Sequence, residues 1–328
     1  MATAVAGAIA TGLFSGVATR ALIPILRRRN FLDLPNDRSS HTVPTPRGGG
    51  IAVIGAVLLA WIIWWLSGRV PPGTLGISLA TGLLAIVCWV DDLRGLSPPA
   101  RLAAQGVAVA IGLDVLPATG FALHVRFGPA AYFAAIGLLW VWWINVFNFM
   151  DGIDGLAGSE AAAIGGGLLL FSALGNGVDP VIALLAATIL GAALGFLVWN
   201  WAPARIFLGD VGSAPLGYLT GYLLIDVAVR GRWKVALILP LYFLADATIT
   251  LSRRLLRGER IWEAHRQHFY QQAVRRGLGH AAVVRRVVAA DLLLIGCGWA
   301  SENGFGGLAL GGAAAIVAAL LVFLASGD

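Results

Sequence analysis

The chain has 328 residues, 58% of them hydrophobic and only 12% charged, with a mean hydropathy of +0.82. Soluble domains carry about 25% charged residues, so this composition excludes an ordinary soluble protein and indicates a polytopic membrane protein. The net charge of +6 comes with no nucleic-acid motif, and Cys88 and Cys297, without CxxC spacing, read as small buried hydrophobes and not as a disulfide framework.

Apolar windows of about 17–23 residues, each able to cross ~30 Å of hydrocarbon, recur along the chain. They lie near 4–26, 48–66, 74–90, 100–116, 129–147, 157–175, 181–199, 211–229, 233–251, 284–300 and 304–325. They predict one all-α integral-membrane domain over 1–328 with eleven transmembrane helices, or ten if a weak window at 100–116 or 284–300 fails. The first window lacks a basic leader and ends in Arg27-Arg28-Arg29, so it reads as a retained helix and not a cleaved signal. Loops after helices 1, 3, 5, 7 and 9 hold 17 of the 23 Lys and Arg; those after even helices hold five, Arg69, Arg126, Arg230, Arg232 and Lys234. The positive-inside rule then predicts a cytoplasmic location for the odd loops and a periplasmic N-terminus, with Arg230, Arg232 and Lys234 as a local exception.

The polar motifs fall in five predicted cytoplasmic loops, near 27–47, 91–99, 148–156, 200–210 and 252–283. In the first, Arg38, His41 and Arg47 can donate to anionic oxygens, and Gly48-Gly49-Gly50 offers backbone N–H groups at a helix entrance. A Pro/Gly turn with arginines facing acidic lipid explains that loop equally well. Asp91 and Asp92 close helix 3, where they oppose its dipole, so they call for a cation, either a metal or Arg94. Alternation over 117–128 suggests a short external hairpin with His124 on its surface.

The most unusual stretch is Asn145-Val-Phe-Asn148-Phe-Met-Asp151-Gly-Ile-Asp154-Gly155, two amides, two carboxylates and two glycines in an apolar sequence. A helix N-cap would explain one aspartate but not both, and two acids beside a bilayer need a cation or a partner. Farther on, Asp210 stands between Gly209 and Gly212 where helix 8 begins, which suits a metal ligand better than a cap. Oxygen ligands without cysteine favour Mg²⁺, with Mn²⁺ the alternative. The 252–286 segment carries nine arginines with His265, His268, Tyr270 and Gln271. No third zinc ligand stands near the two histidines, so anion or sugar contacts are expected, against the alternative of a basic helix facing lipid. Asp246 is expected to pair with Arg253 or Arg254, and Asp226 and Asp291, near predicted helix ends, receive no role.

In order, Asp91-Asp92, Asn145-x-x-Asn148-x-x-Asp151-Gly-Ile-Asp154-Gly and Phe207-Leu-Gly-Asp210-x-Gly-Ser213 resemble the polyprenyl-phosphate N-acetylhexosamine-1-phosphate transferases over roughly residues 30–280. The resemblance implies a Mg²⁺-dependent, many-helix enzyme of the bacterial inner membrane with a cytoplasmic active site. It would move a sugar phosphate from a UDP-linked amino sugar to undecaprenyl phosphate, releasing UMP. It also implies that Asp91 and Asp92 handle the lipid phosphate and assist the nucleophile, and that Asp210 binds the metal. Asn145, Asn148, Asp151 and Asp154 would line the nucleotide–sugar and metal site, and His265 and His268 would lie near the diphosphate. The spacing His265-Arg-Gln-His268 looks like the O-antigen branch, whose donors include 6-deoxy-N-acetylhexosamines, and differs from the tighter histidine cluster of the cell-wall branch.

Chemically, two anions must meet in such a reaction, and a divalent cation with arginines offsets their repulsion. The expectation is Mg²⁺ on Asp210 with help from Asp151 or Asp154, while Arg47 and a histidine steady the diphosphate oxygens. Asp91 would position the lipid phosphate more than deprotonate it. The expected partners are undecaprenyl phosphate, a UDP-N-acetylhexosamine, membrane lipids and a second copy in a homodimer, with no nucleic acid. A transporter with a carboxylate cation site is the competing class; it predicts midplane acids and internal repeats, and no repeat is seen.

Overall fold

The computed structural model describes residues 1–35, 43–117, 122–260 and 265–326, with only the backbone over 122–127; Arg38, His41 and Glu263 lie outside the described residues. The chain is helical almost throughout: α1 (Ala2–Arg28), α2 (Gly50–Leu66), α3 (Gly73–Arg94), α4 (Pro98–Val115), α5 (Ala122–Phe149), α6 (Leu156–Ala173), α7 (Pro180–Asn200) and α8 (Asp210–Val227). A π-helical turn, Ala228–Arg232, leads into α9 (Trp233–Ile238), followed by α10 (Leu241–Leu256), α11 (Phe269–Arg275), α12 (His280–Glu302) and α13 (Gly306–Ser326). Two short antiparallel strands, β1 (Leu32–Asp33) and β2 (Thr45–Pro46), flank the first loop.

Every predicted apolar window coincides with helix, but the helices differ in their ability to cross a bilayer. Among the described residues, six are long and apolar enough: α1, α3, the part of α5 from Gly128, α6, α7 and α13. The number is seven if Asp210–Ile238 and Leu241–Leu256, bent by 75° to one another, count as one span, so the predicted eleven is not reached. Part of the shortfall has a plain cause: the window predicted at 233–251 is broken at Pro240, whose missing N–H removes a helical hydrogen bond there. The predicted hairpin over 117–128 is absent where the chain is described, because 122–127 is helical up to a break at Gly128. Helix α12 begins at His280 and not near 284, which moves Asp291 from a helix end to mid-helix.

α6, α7 and α8 form the centre of the bundle and are buried on nearly all sides, as uniformly apolar helices must be. The outer helices turn residues such as Leu13, Val17, Leu79, Leu138 and Leu308 outward, an apolar jacket suited to lipid. α1 seats on α7 through small residues: a Cβ at Gly191 would come within 2.0 Å of the Ala8 carbonyl oxygen, so only glycine permits this crossing. Ser15 Oγ donates to the Ala192 carbonyl at 2.8 Å, and the Trp199 indole N–H to that of Gly16 at 2.9 Å. At one end of the bundle, Arg230 meets Asp226 at 2.5 Å and Asp179 at 3.4 Å, and Arg232 pairs with Glu302. Arg230 and Arg232 of the basic cluster are thus each paired with acids. The predicted functional residues gather at the opposite end.

Candidate functional site

The floor of the site is two loops joined backbone to backbone. Gly48 and Gly49 N–H groups donate to the Phe207 carbonyl at 3.1 and 2.8 Å, Gly50 N–H to that of Leu208 at 2.8 Å, and Phe207 N–H to that of Pro46 at 2.8 Å. The glycine run therefore offers its amides to protein and not, as the sequence suggested, to phosphate. A Cβ on Gly50 would lie 2.2 Å from Gly212 Cα, so these two glycines let the starts of α2 and α8 cross in contact. This, and the positive φ of 76° at Gly209, account for the glycines around Asp210.

Asp92 is the pin of this junction. Its carboxylate accepts the Asp210 and Val211 N–H groups at 3.2 and 3.0 Å, capping α8 from another helix, and it pairs with Arg47. Arg47 also reaches Asp210 at 3.5 Å. Burial disfavours the Arg47 charge, but Asp210 and Asp92 outweigh it and hold the guanidinium above its ordinary value. The cation that the sequence sought in Arg94 or a metal is thus Arg47 for Asp92. For Asp91 it is Arg101, 3.5 Å away, while the other Asp91 oxygen accepts the Leu96 N–H at 2.5 Å.

In the central stretch, Asn148 donates through Nδ2 to Asp210 Oδ1 at 3.2 Å and to Ser213 Oγ at 2.9 Å. Asn145 donates to Gln105 Oε1 and to the Val141 carbonyl, both at 2.7 Å. Asp151 lies in the α5–α6 turn, where burial, reinforced by Asp210 and opposed by Arg47, pushes its carboxyl well above the usual carboxylate range. Asp154 is turned to scaffolding: it accepts the Ala204 N–H at 3.0 Å and lies 3.3 Å from His280 Nδ1 at the start of α12.

The histidine segment is held from below. Asp246, completely buried in α10, receives the Phe269 N–H at 3.0 Å, the Tyr270 N–H at 3.3 Å and His268 Nδ1 at 3.1 Å. The sequence paired it with Arg253 or Arg254; Arg253 instead covers the Phe269 ring, and Arg254 reaches the Arg260 carbonyl and Glu259. The rings of His265 and His268 stack with centroids 4.9 Å apart. Burial, helped by His268 and Arg254, lowers His265 to about 4, so it is neutral at physiological pH. Tyr270 Oη donates to the Phe149 carbonyl at 2.9 Å and binds this segment to the central stretch.

Part of this set converges on one cavity of about 650 Å³. Asp91, Arg101, Gln105, Asn145, Asn148, Asp210, His265, His268 and Gln271 supply its polar wall; Leu84, Val87, Leu102, Leu138, Val141 and Trp142 are among its apolar lining. Of the predicted site residues, Asp91, Asn145, Asn148, Asp210, His265 and His268 line this space, whereas Arg47, Asp92, Asp151 and Asp154 do not. Arg101, Gln105 and Gln271 were not singled out as site residues from sequence. The i, i+4 spacing of Arg101 and Gln105 just after a Pro-started helix was the available signal for two of them. Among the described residues, no three His, Cys, Asp or Glu side chains form a metal cage by themselves.

Comparison with known proteins gives the arrangement its relatives. Residues 74–228 match the model of glycosyl transferase family 4. The phospho-N-acetylmuramoyl-pentapeptide-transferase of Synechococcus sp. (strain JA-2-3B'a(2-13)) is 33% identical over 321 residues, 88% of this chain and 90% of the relative. A probable undecaprenyl-phosphate N-acetylglucosaminyl 1-phosphate transferase of Bacillus subtilis (strain 168) is 30% identical over 278 residues, covering 79% and 75%. With likeness of this extent over most of both chains, the chain belongs to the polyprenyl-phosphate hexosamine-1-phosphate transferase family.

Proposed function

We propose that the protein transfers an N-acetylhexosamine-1-phosphate from a UDP-sugar to undecaprenyl phosphate, yielding undecaprenyl-diphosphate-sugar and UMP. The carrying observation is the two-part cavity: an apolar cleft between α3, α4 and α5 runs into a polar end of acids, amides and histidines. Leu102 and Leu138 on that cleft are 49% and 72% exposed. An acceptor whose tail stays in lipid and whose phosphate must reach a polar centre needs both halves.

In the reaction, an oxygen of the lipid phosphate attacks the sugar-bearing phosphorus. The bond from that phosphorus to the bridging oxygen breaks, and UMP leaves with the oxygen. The attacking phosphate is largely dianionic at neutral pH, its second pKa being about 6 by analogy with phosphoesters, so no strong base is required. Arg101, paired with Asp91 where the apolar and polar halves meet, is placed to hold the acceptor phosphate. Asn148 fixes the Asp210 carboxylate, and Asn145 is locked by Gln105. Mg²⁺ suits this donor set: it takes oxygen ligands from one or two carboxylates and completes its shell with substrate phosphates and water, so it needs no cage of protein ligands. Asp210, whose side chain is 27% exposed, would hold it with Asp151 near by, and there it would supply positive charge for the diphosphate. Arg47 and Asp92 maintain that loop and contribute charge balance.

The reading includes an N-terminus in the periplasm and the site on the cytoplasmic face of the inner membrane, supported by the arginine distribution and the single-ended gathering of motifs. It also includes initiation of a cell-surface glycan such as O-antigen, supported by the open spacing of His265 and His268. The cavity argument is tested by Leu102→Arg and Leu138→Glu in the purified full chain. KM for undecaprenyl phosphate is expected to rise about tenfold, as a charge displaces an apolar contact, while UDP binding stays unchanged. An unchanged KM would place the acceptor elsewhere.

A further inference from the structure

Away from the cavity, α6 and α12 enclose two acids for which the transferase reading has no use. The helices run parallel: a Cβ on Gly167 would come within 3.3 Å of Ile295 Cγ1, and one on Gly298 within 2.9 Å of Phe171 Cζ. Counted back from these contacts, Glu160 of α6 and Asp291 of α12 stand about one turn apart along the shared axis. Glu160 is 0% and Asp291 1% exposed, and none of their four carboxylate oxygens has a hydrogen-bond partner among the described residues. On the same helix faces lie Ala157 and Ile164, and Val287 and Leu294, all buried and apolar.

The helices packed around the pair bring it no counter-charge. Among the described residues, Asp291 is the one charged group that acts on Glu160. Asp291 in turn acts on Tyr242 of α10, whose hydroxyl is engaged 3.3 Å from Asp246. On α8, Asp226 is bound to Arg230; on α9, Lys234 lies over Trp233. On α11, Arg275 is exposed and Arg276 reaches the Leu324 carbonyl. On α12 itself, His280 faces Asp154, Arg285 is exposed and Arg286 covers Phe323. α7 and α13 carry no titratable side chain.

An ionised carboxylate without donors is among the costliest groups to bury, whereas a protonated one brings its own donor. A metal ion fits less well. Among the described residues no third His, Cys, Asp or Glu joins the two acids, so the ion would be short of ligands. We propose that Glu160 and Asp291 form a proton-binding site, with the proton held on Glu160 and donated to Asp291 across the α6–α12 interface. Two carboxyls sharing one site do not both ionise, and glutamate is the weaker acid of the two. The proton thereby acts as a ligand of the bundle. It ties α6 to α12, the helix that opens with His280 against Asp154 at the functional end. Its release to water would leave two like charges in apolar surroundings and drive the helices apart.

The test needs no substrate, so its failure is distinct from failure of the transferase reading. The full chain, made with carboxyl-¹³C glutamate and placed in lipid nanodiscs, is read by infrared spectroscopy for the C=O stretch of a protonated carboxyl. The sequence has four glutamates; Glu259 and Glu302 pair with Arg254 and Arg232, and the fourth is silenced as Glu263→Gln. A band that moves with the ¹³C label and with transfer to D₂O is expected at neutral pH, and Glu160→Gln should remove it. Asp291→Asn should shift the band without abolishing it, because the acceptor of the proton changes. Sodium, potassium and magnesium ions should leave it in place. Absence of a protonated glutamate from the folded Glu263→Gln protein overturns the proposal even if the other variants fail to fold. A band that a cation removes, or one indifferent to Asp291→Asn in folded protein, overturns it as well.

Discussion

Asp92 offers the sharpest separation of scaffold from chemistry. Its carboxylate holds the first two N–H groups of α8 and the Arg47 guanidinium, and its side chain is only 3% exposed. In Asp92→Asn the amide keeps the shape and one acceptor oxygen, so about one charge-assisted hydrogen bond is lost, costing about 1.5–3 kcal/mol. Leaving Arg47 without that charge adds about 1 kcal/mol or less, since Arg47 is 35% exposed and water screens the pair. The total, about 2–4 kcal/mol, corresponds to a fall of roughly 3–6 °C in the melting temperature for a chain of this size. Asp210→Asn, by contrast, removes a partly exposed carboxylate that receives one Asn148 donor and lies 3.5 Å from the water-screened Arg47, and should melt within about 2 °C of the parent. The assay is intrinsic-fluorescence melting of both variants in the same detergent, with UMP release measured alongside. An Asp92→Asn protein as stable as the parent would refute the capping argument.

Three further outcomes follow from the packing and electrostatics. Gly191→Ala forces a methyl toward the Ala8 carbonyl, and the α1–α7 crossing should lose about 1–3 kcal/mol, the range for overpacking, read as a lower melting temperature than the control Gly311→Ala, where a Cβ meets nothing within 4 Å. Glu160 and Asp291 are 0% and 1% exposed on facing helices, and none of their four carboxylate oxygens has a hydrogen-bond partner among the described residues. Burying two like acids without a counter-charge is costly, so Glu160→Leu or Asp291→Leu should raise the melting temperature; a fall would mean that an unseen cation or water chain is held there. For His265, lowered to about 4 from an ordinary 6.5, the unfolded chain binds the extra proton between those values. This histidine therefore withdraws stability as pH falls from 6.5 to 4, and His265→Phe should flatten the melting temperature against pH in that window. An unchanged slope would show the ring to be free to ionise in place.

Much of this architecture was legible in the residues. Every apolar window coincides with helix because burial of uniformly apolar segments leaves the backbone few other choices. Asn145, Asn148 and Asp210 stood out as polar groups with no local use, and they meet. What could not be read were partnerships across long separations. The Gly48–Gly50 amides are used by carbonyls some 160 residues away; Asp92 and Arg47 neutralise each other across 45 residues, and Asp246 reaches forward to His268. Local spacing has no access to such pairs. Glu160 could have been flagged, since a carboxylate inside an apolar run is costly wherever the helix packs. The span count failed for a different reason: hydropathy finds apolar segments, while Pro240 and charged α4 and α12 decide how they lie.

The central claim is that this cavity joins a nucleotide-linked amino sugar to a lipid phosphate. It is tested most directly by incubating the purified full chain with undecaprenyl phosphate, Mg²⁺ and a panel of UDP-N-acetylhexosamines, and following UMP together with the lipid product. The account predicts UMP and undecaprenyl-diphosphate-sugar in equal amounts with one donor, only when lipid and Mg²⁺ are both present, and loss of both products in folded Asp210→Asn. UMP released without lipid, or a folded wild-type protein that binds UDP yet forms no lipid product with any donor, would contradict it.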